Sequence, residues 1–347
     1  MSRRPTLAAV AEAAGVSSAT VDRVLNSRLP VREATALRVI KAAERIGYHA
    51  AGLMRERLRE RATVRRLGFC LQKRKDPFYQ AFGEAISAAA ARHGPETAVA
   101  VLDYMDALEP AAIAAQLLAL GRKVDALAVV AVDHPHVTAA IDTLHAEGRP
   151  VFTLLSDLSA PQRAAYVGVD NRQTGRTAAW AITRLARGTG AGGEVAVFVG
   201  SHRYLGQEIS EISFRSHLRE HAPQLHVLDT LVNLEDAQLA HEATLELLAR
   251  HPDLVGIYVV GGGVAGIIRA LREESAPGRI VTVCNELSGD HRTALIDGVV
   301  DLVLRTPIER IGEAAVRAMV RSFEPGGAPP AGTMLIQPFE LFTPENV

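Results

Sequence analysis

From Arg66 onward one alternation governs the sequence: short β-rich apolar runs, each followed by an amphipathic stretch of helical period. The runs are 67–71, 98–102, 126–130, 151–155, 166–169, 195–199, 226–231, 256–260, 280–284 and 302–304, and the stretches between them include 79–92, 109–121 and 175–187. A strand that must return to its own sheet through a helix lies parallel to its predecessor, and helices then cover both faces of the sheet. The expected fold class is therefore α/β. About ten strands are too many for one compact doubly wound sheet, so two Rossmann-like subdomains are expected. Ligands of such sheets sit beyond the carboxyl ends of the strands.

Enzyme chemistry finds little support in this part of the chain. Val260-Gly261-Gly262-Gly263 follows a strand but lacks the G-x-G-x-x-G form, and no acidic residue follows at the spacing a ribose needs. The twelve histidines are scattered, with none in a G-x-S-x-G or H-E-x-x-H setting. His134 and His136 flank Pro135 as a metal pair without a third ligand. Cys70 and Cys284 lie in separate apolar runs and read as buried thiols, which excludes a disulfide scaffold and a four-cysteine zinc site. No cofactor and no metal are expected.

The first 66 residues are of another kind. They hold fourteen Lys+Arg against six Asp+Glu, a net of +8, while the rest carries −9, so the overall −1 hides a basic head on an acidic body. That asymmetry suits a small module that meets a polyanion. Thr6 can cap a helix over 7–14 whose Leu7, Val10, Ala11 and Ala14 share one face; Gly15 ends it, and Ser17 can cap a second helix over 18–25. Val21, Val24 and Leu25 then point inward and Ser18, Ala19, Asp22 and Arg23 outward. A third helix over about 32–46 follows, with Val39, Ala43 and Ile46 inward.

The residues of this module, LAAVAEAAGVSSATVDRVLN, then VREAT, then the Ile46-Gly47-Tyr48 ending, closely resemble the N-terminal DNA-binding domain of the LacI/GalR family of bacterial repressors. The resemblance implies a helix-turn-helix whose second helix enters the major groove of operator DNA. It places Ser18, Ala19 and Arg23 at base-reading positions and Ser17 and Thr20 near phosphates, with Thr6, Asp22 and Asn26 completing the DNA-binding set. Arginine is the usual partner of guanine. Asp22 stands where the family most often has serine; it either pairs with Arg23 or another neighbour or accepts from a cytosine amino group. In the family the segment after Tyr48 is a hinge that drives a leucine pair into the minor groove. Leu58 is the candidate wedge, with Leu53 and Met54 as alternatives, although the usual proline after tyrosine is missing. Arg55, Arg57, Arg59, Arg61, Arg65 and Arg66 would add phosphate contacts and a steep salt dependence.

The body resembles the type 1 periplasmic sugar-binding fold that forms the effector domain of the same family, through RRLGFCL, DPFYQAFGEAI, GRPVFTLLSD, VGVDNRQTGRTAA and ALIDGVVDLVLRTPIERIGEAAV in that order. The resemblance implies crossings between subdomains near Val169–Asn171, Arg305–Pro307 and Gln337. It also implies a ligand set of Asp76, Phe78, Tyr79, Asp133, His134, Asp157, Ser210, Asn285, Glu286 and Arg305. Ser210 takes the place of the arginine that commonly clamps a sugar hydroxyl, Glu286 that of an aspartate, and the glycines near Gly261 that of an Asn-Asp pair. Together with Glu208 and Glu211 these residues make an acceptor-rich pocket suited to a polyol, a sugar or a cationic ligand.

The expected organisation is a DNA-binding domain over 1–50, a hinge over 51–66 and an effector domain over 67–347, with one subdomain at about 67–169 and 306–336 and the other at about 170–305 and 337–347. The expected function is a ligand-responsive repressor of a carbohydrate or polyol operon that binds a pseudo-palindromic operator as a homodimer, with double-stranded DNA and a small effector as partners and no enzyme activity. The alternative is a sugar-binding receptor or enzyme whose head serves protein contacts. Glu12 interrupts the apolar N-terminal stretch and no run reaches about 18 apolar residues, so a cytoplasmic protein is expected.

Overall fold

The computed structural model describes residues 5–26, 31, 33–54, 64–94, 97–106, 109–186, 192–274, 279–285 and 289–347. Leu58, Arg55, Arg57, Arg59, Arg61 and Glu286 lie outside these residues.

The head begins with three helices, α1 (Leu7–Ala14), α2 (Ser18–Asn26) and α3 (Glu33–Arg45). Thr6 Oγ1 accepts the Ala9 amide at 3.3 Å, which caps α1. Gly15, at φ +64°, closes it in the left-handed conformation that a residue with a Cβ seldom adopts, and sends Val16 back over the Ala11 carbonyl. Ser17 then caps α2 by accepting the Thr20 amide. Val10, Ala11, Ala14, Val21, Val24, Val39, Ile40 and Ala43 close into one small core, joined by Tyr48, Ala51 and Met54. Ile46 packs against that core partly buried rather than within it. Met54 is fully buried there, so it is withdrawn from the wedge alternatives, whereas Leu53 is half exposed.

The body contains two sheets. The first has strands β1 (Arg65–Gln72), β2 (Ala98–Met105), β3 (Ala126–Val129), β4 (Val151–Leu154), β5 (Ala165–Gly168) and β12 (Met334–Ile336). Their spatial order is β12-β5-β4-β3-β1-β2, parallel throughout. The second comprises β6 (Gly193–Val199), β7 (Leu225–Val227), β8 (Leu231–Val232), β9 (Leu254–Val259), β10 (Val281–Cys284), β11 (Leu302–Arg305) and β13 (Glu340–Phe342), in the order β13-β11-β10-β9-β6-β7 with β8 also on β6. Only β13 among these runs antiparallel to its neighbour. Each sheet is sandwiched between two apolar clusters, the mark of double winding.

The helices of the first lobe are α4 (Pro77–His93), α5 (Pro110–Gly121), α6 (Pro135–Ala146) and α12 (Ile308–Arg321). Those of the second are α7 (Asn171–Leu185), α8 (Leu205–His221), α9 (Ala237–Arg250), α10 (Val264–Glu274) and α11 (Gly289–Ile296). Three first-lobe helices start alike: Asp76, Glu109 and His134 each cap with a side-chain acceptor, and a proline at the first helical position follows. These starts bring polar side chains to the carboxyl ends of the strands, where a ligand of such a sheet sits. The chain passes between the lobes three times, from β5 into α7, from β11 into α12 and from β12 into β13. At the last passage the Gln337 amide donates to the Gly168 carbonyl at 2.8 Å, so two of the passages lie side by side.

The ten runs of the sequence all form strands, with one division: 226–231 becomes β7 and β8. Strands β12 and β13 carry no run of their own in the expectation. Both are edge strands of three residues, Met334–Ile336 and Glu340–Phe342, none of them fully buried, and they are too short to stand out as apolar runs.

Candidate ligand cleft and DNA-reading helix

In both sheets the strand order reverses beside the first strand of the lobe, between β1 and β3 in one and between β6 and β9 in the other. The two reversal points face each other across a cleft of about 880 Å³, counted out to its open mouth. The first lobe lines it with Asp76, Phe78 and Tyr79 from the start of α4, Val130 after β3, and Leu155 and Ser156 after β4. The second lobe supplies Asn171, Thr174, Tyr204, Gly206, Gln207, Glu235, Val260, Gly261, Gly262 and Asn285. Val169, Leu304 and Thr306 line it where the chain passes between the lobes.

The lobes touch through specific bonds. Tyr204 belongs to the second lobe but is buried among the apolar residues of the first, and its hydroxyl donates to Oε1 of the fully buried Gln72 at 2.6 Å. Gln72 in turn donates from Nε2 to the Val130 carbonyl and accepts the more distant Tyr79 hydroxyl. Burial pushes the Tyr204 phenol well above its ordinary range, so it stays a donor. The Gly206 amide donates to Ser156 Oγ at 3.0 Å and the Asp133 amide to the Arg203 carbonyl at 2.7 Å. Lys73 Nζ lies 3.5 Å from the Glu235 carboxylate and donates to the Leu234 and Glu235 carbonyls.

Of the residues expected at the ligand, Asp76, Phe78, Tyr79 and Asn285 line the cleft. Asp76 Oδ1 accepts the Phe78 amide, and the Phe78 ring stands edge-on to Tyr79 at 5.2 Å. Asn285 Nδ2 donates to the Tyr258 hydroxyl, while its buried Oδ1 has no partner among the described residues. A buried acceptor without a donor is costly, and here it borders the cleft.

The others among the described residues fall outside the lining, each for a physical reason. Asp157 is gripped by Arg163 through two bonds of 2.5 Å and accepts the Thr153 hydroxyl as well. Asp133 accepts the amide and hydroxyl of Ser159, and His134 Nδ1 is used up in capping α6. Arg305 reaches Glu340 at 2.7 Å and Glu309 at 2.6 Å. Ser210 is fully buried, donating to the Asn171 carbonyl at the contact of α7 with α8. That contact is close because Gly175 lies against the Ser210 carbonyl, which a Cβ there would meet at 2.0 Å. Glu211, counted among the acidic residues of the pocket, is nearly buried in an ion pair with Arg215 and a bond from Thr230.

Sequence reading missed Gln207, Glu235, Tyr204, Ser156, Asn171 and Thr174. Four non-glycine residues among those described have positive φ: Lys73 (+41°), Leu155 (+63°), Leu234 (+52°) and Glu235 (+55°). All four line or adjoin the cleft, where backbone strain tends to collect. The glycines at 200, 261 and 262 were the available signal, since they leave room for large polar neighbours.

In the head, Ser17, Ser18, Ala19 and Arg23 are exposed along the start and outer face of α2. Thr20 and Asn26 are half-buried, and Thr6 is exposed beside α1. Asp22 accepts a bond of 2.6 Å from Asn26 Nδ2, which ties both side chains along the helix.

Comparison with known proteins matches residues 67–326 to the periplasmic binding protein domain and residues 6–50 to the DNA-binding domain of the bacterial regulatory proteins of the lacI family. The chain is a regulator of the lacI family. An uncharacterized HTH-type transcriptional regulator from Streptomyces limosus is 26% identical over 91% of this chain and 87% of its own length. Among solved structures, the body of the regulator superposes on a solute-binding protein from Agrobacterium vitis bound to α-D-tagatopyranose, at 21% identity and a TM-score of 0.72, covering 81% of this chain and 95% of that one. A solute-binding protein from Bacillus halodurans with bound myo-inositol gives 18% identity and a TM-score of 0.70 over 82% and 96%. These likenesses establish the periplasmic-binding-protein fold. As a DNA-binding transcriptional regulator responsive to a small ligand, the protein is not an enzyme. Among the described residues no helix is long and apolar enough to cross a membrane, and no group of three or more His, Cys, Asp or Glu could hold a metal.

Proposed function

We propose that the regulator is a cytoplasmic homodimeric repressor that binds a neutral sugar or polyol in the cleft and reads a pseudo-palindromic operator with α2. The observation that carries the ligand reading is the unpartnered Asn285 Oδ1 in a cleft that Phe78 also lines: an acceptor without a donor, in a lining that offers an aromatic ring suited to a sugar face. Two of the carboxylates that favoured a cationic ligand in the sequence are committed within the protein, Asp157 to Arg163 and Glu211 to Arg215. The charge of Asp76 is offset in part by the helix start it caps.

On this reading the chain is organised as a head over 1–50, a hinge over 51–66 with Leu58 as its wedge, and the effector body beyond. Ser18, Ala19 and Arg23 meet base edges, Thr6, Ser17 and Thr20 stand near phosphates, and Asp22 with Asn26 fixes the outer face of α2. A twofold dimer matches a twofold DNA site. Ligand that favours one closure of the lobes changes operator affinity by the coupling free energy, about 1–3 kcal/mol in typical cases.

Two measurements test it. In a gel shift on DNA upstream of the protein's own gene, Arg23→Ala should abolish the specific band; a band that survives this change and deletion of the head defeats the DNA reading. In a thermal-shift panel of D-tagatose, D-ribose, D-galactose, myo-inositol and a set of primary amines, a neutral member should raise Tm. A response to amines alone defeats the neutral-ligand reading.

A further inference from the structure

The loop from Asn233 to Glu235 is built to hold one carboxylate. Leu234 and Glu235 are consecutive non-glycine residues with positive φ, at +52° and +55°. Asn233, almost wholly buried, sustains the bend: its Oδ1 accepts the Glu235 amide at 2.8 Å and its Nδ2 donates to the Gly262 carbonyl at 2.9 Å. The side chain that results lies over a floor of glycines. A Cβ at Gly200 would meet Glu235 Cγ at 2.3 Å, and one at Gly262 would meet Glu235 Cβ at 3.0 Å. Gly261 makes the same room for Gln207, whose Nε2 donates to Glu235 Oε1 at 2.9 Å while its own Oε1 accepts the Gly200 amide at 2.7 Å.

Strained backbone, a buried support and a floor of glycines all serve to place Glu235 in the cleft lining. Its other carboxylate oxygen faces Lys73, carried by the opposite lobe at the end of β1. We infer that Glu235 is the specificity-determining residue of the second lobe, accepting hydroxyl hydrogen bonds from a neutral polyhydroxylated ligand, with Gln207 positioning it and Lys73 supplying its counter-ion as the lobes close. The ammonium offsets the carboxylate charge, so the site selects hydroxyl donors over amines. It also joins ligand recognition to closure, because the same carboxylate meets the ligand and the far lobe.

This inference rests on the carbohydrate reading of the cleft, and the test separates the two. Isothermal titration of the full chain with each sugar and polyol of the panel gives an affinity and a rank order. Glu235→Gln keeps the shape and removes the charge; it should weaken the tightest-binding member by about 10–100-fold, the loss expected for a charged hydrogen bond, and reorder the panel. Lys73→Met, which leaves the carboxylate in place, should weaken every member by about the same several-fold factor and preserve the order. Glu242→Gln, on the outer surface of α9, serves as the control and should change nothing. Unliganded Tm values close to that of the parent show that the variants fold. Panel members that bind both Glu235→Gln and Lys73→Met as tightly and in the same order as the parent overturn the inference and leave the carbohydrate reading standing. A parent protein that binds no member overturns both.

Discussion

The two lobes share a plan and differ in what they bring to the cleft. The first contributes Phe78, Tyr79, Val130 and Leu155, with Asp76 and Ser156 as its polar members. The second contributes Gln207, Glu235, Asn285, Asn171 and Thr174 around bare glycines. Apolar contact is tolerant of stereochemistry, whereas directed hydrogen bonds are not. The difference assigns affinity of a general kind to the first lobe and discrimination to the second. Tyr204 is the exception that joins them, a second-lobe residue that completes the first lobe's core.

That division can be broken most severely at the exception. Tyr204→Ala removes a buried ring and leaves Gln72 Oε1 with only the long bond from Tyr79, so it should cost about 3–5 kcal/mol of stability in urea unfolding. Small-angle scattering should show the lobes further apart. Tyr204→Phe, which keeps the ring, should cost only about 1 kcal/mol. Equal losses in the two variants would mean that packing of the ring contributes nothing to lobe contact.

The next effect belongs to the first lobe. Phe78→Ala should weaken every panel sugar by about thirtyfold, roughly 2 kcal/mol, without changing their order. A changed order would place discrimination in the first lobe as well. Asn285→Leu should behave in the opposite way, with a smaller loss of about 1 kcal/mol or fivefold, confined to those sugars whose hydroxyl reaches Oδ1. Calorimetry across the panel distinguishes the two patterns.

The smallest effect concerns pH and sits on the second lobe alone. His217 of α8 is nearly buried, stacks on His221 and faces Arg176 and Glu220; its Nδ1 has no partner among the described residues. Burial, with the neighbouring His221 and Arg176, lowers its pKa from the ordinary histidine range. The unfolded chain therefore takes up this proton first, so the stability is present above about pH 6.5 and lost as pH falls below it. Between pH 7 and 5.5 the parent should lose roughly 1–2 °C of Tm more than His217→Leu does, as a few tenths of a kcal/mol give in a domain of this size. Parallel curves for the two proteins would remove His217 from the account.

The fold was largely legible because its signal is periodic and buried. Nine of the ten strand runs are followed by a helix, the exception being β4, which reaches β5 through a loop where the alternation predicts a helix, and the helix starts carry their caps and prolines in the sequence itself. Strands β12 and β13 escaped because each is an edge strand of only three residues, too short to register as a run although Met334 and Leu341 are apolar. The cleft was legible only in part. Asp76 and Phe78 lie close together in one motif, but Gln207 comes from the first turn of α8 and Glu235 from the loop before α9, and they meet only across Gly200 and Gly261. Asp157 and Arg305 misled for a related reason. Sequence shows a charge at a strand end and not the partner, six residues on for Asp157 and thirty-five on for Arg305, that consumes it.

The threefold passage of the chain between lobes also orders events in time. Strand β12 closes the edge of a sheet begun at β1, and β13 completes a sheet begun at β6, so the first lobe lacks a strand until β12 has been synthesised and the second until β13 has. The head, whose core among the described residues draws on positions up to Met54, is under no such delay. On the ribosome, where domains fold as units in the order they emerge, the DNA-reading module is therefore finished while the sensor that governs it is still incomplete.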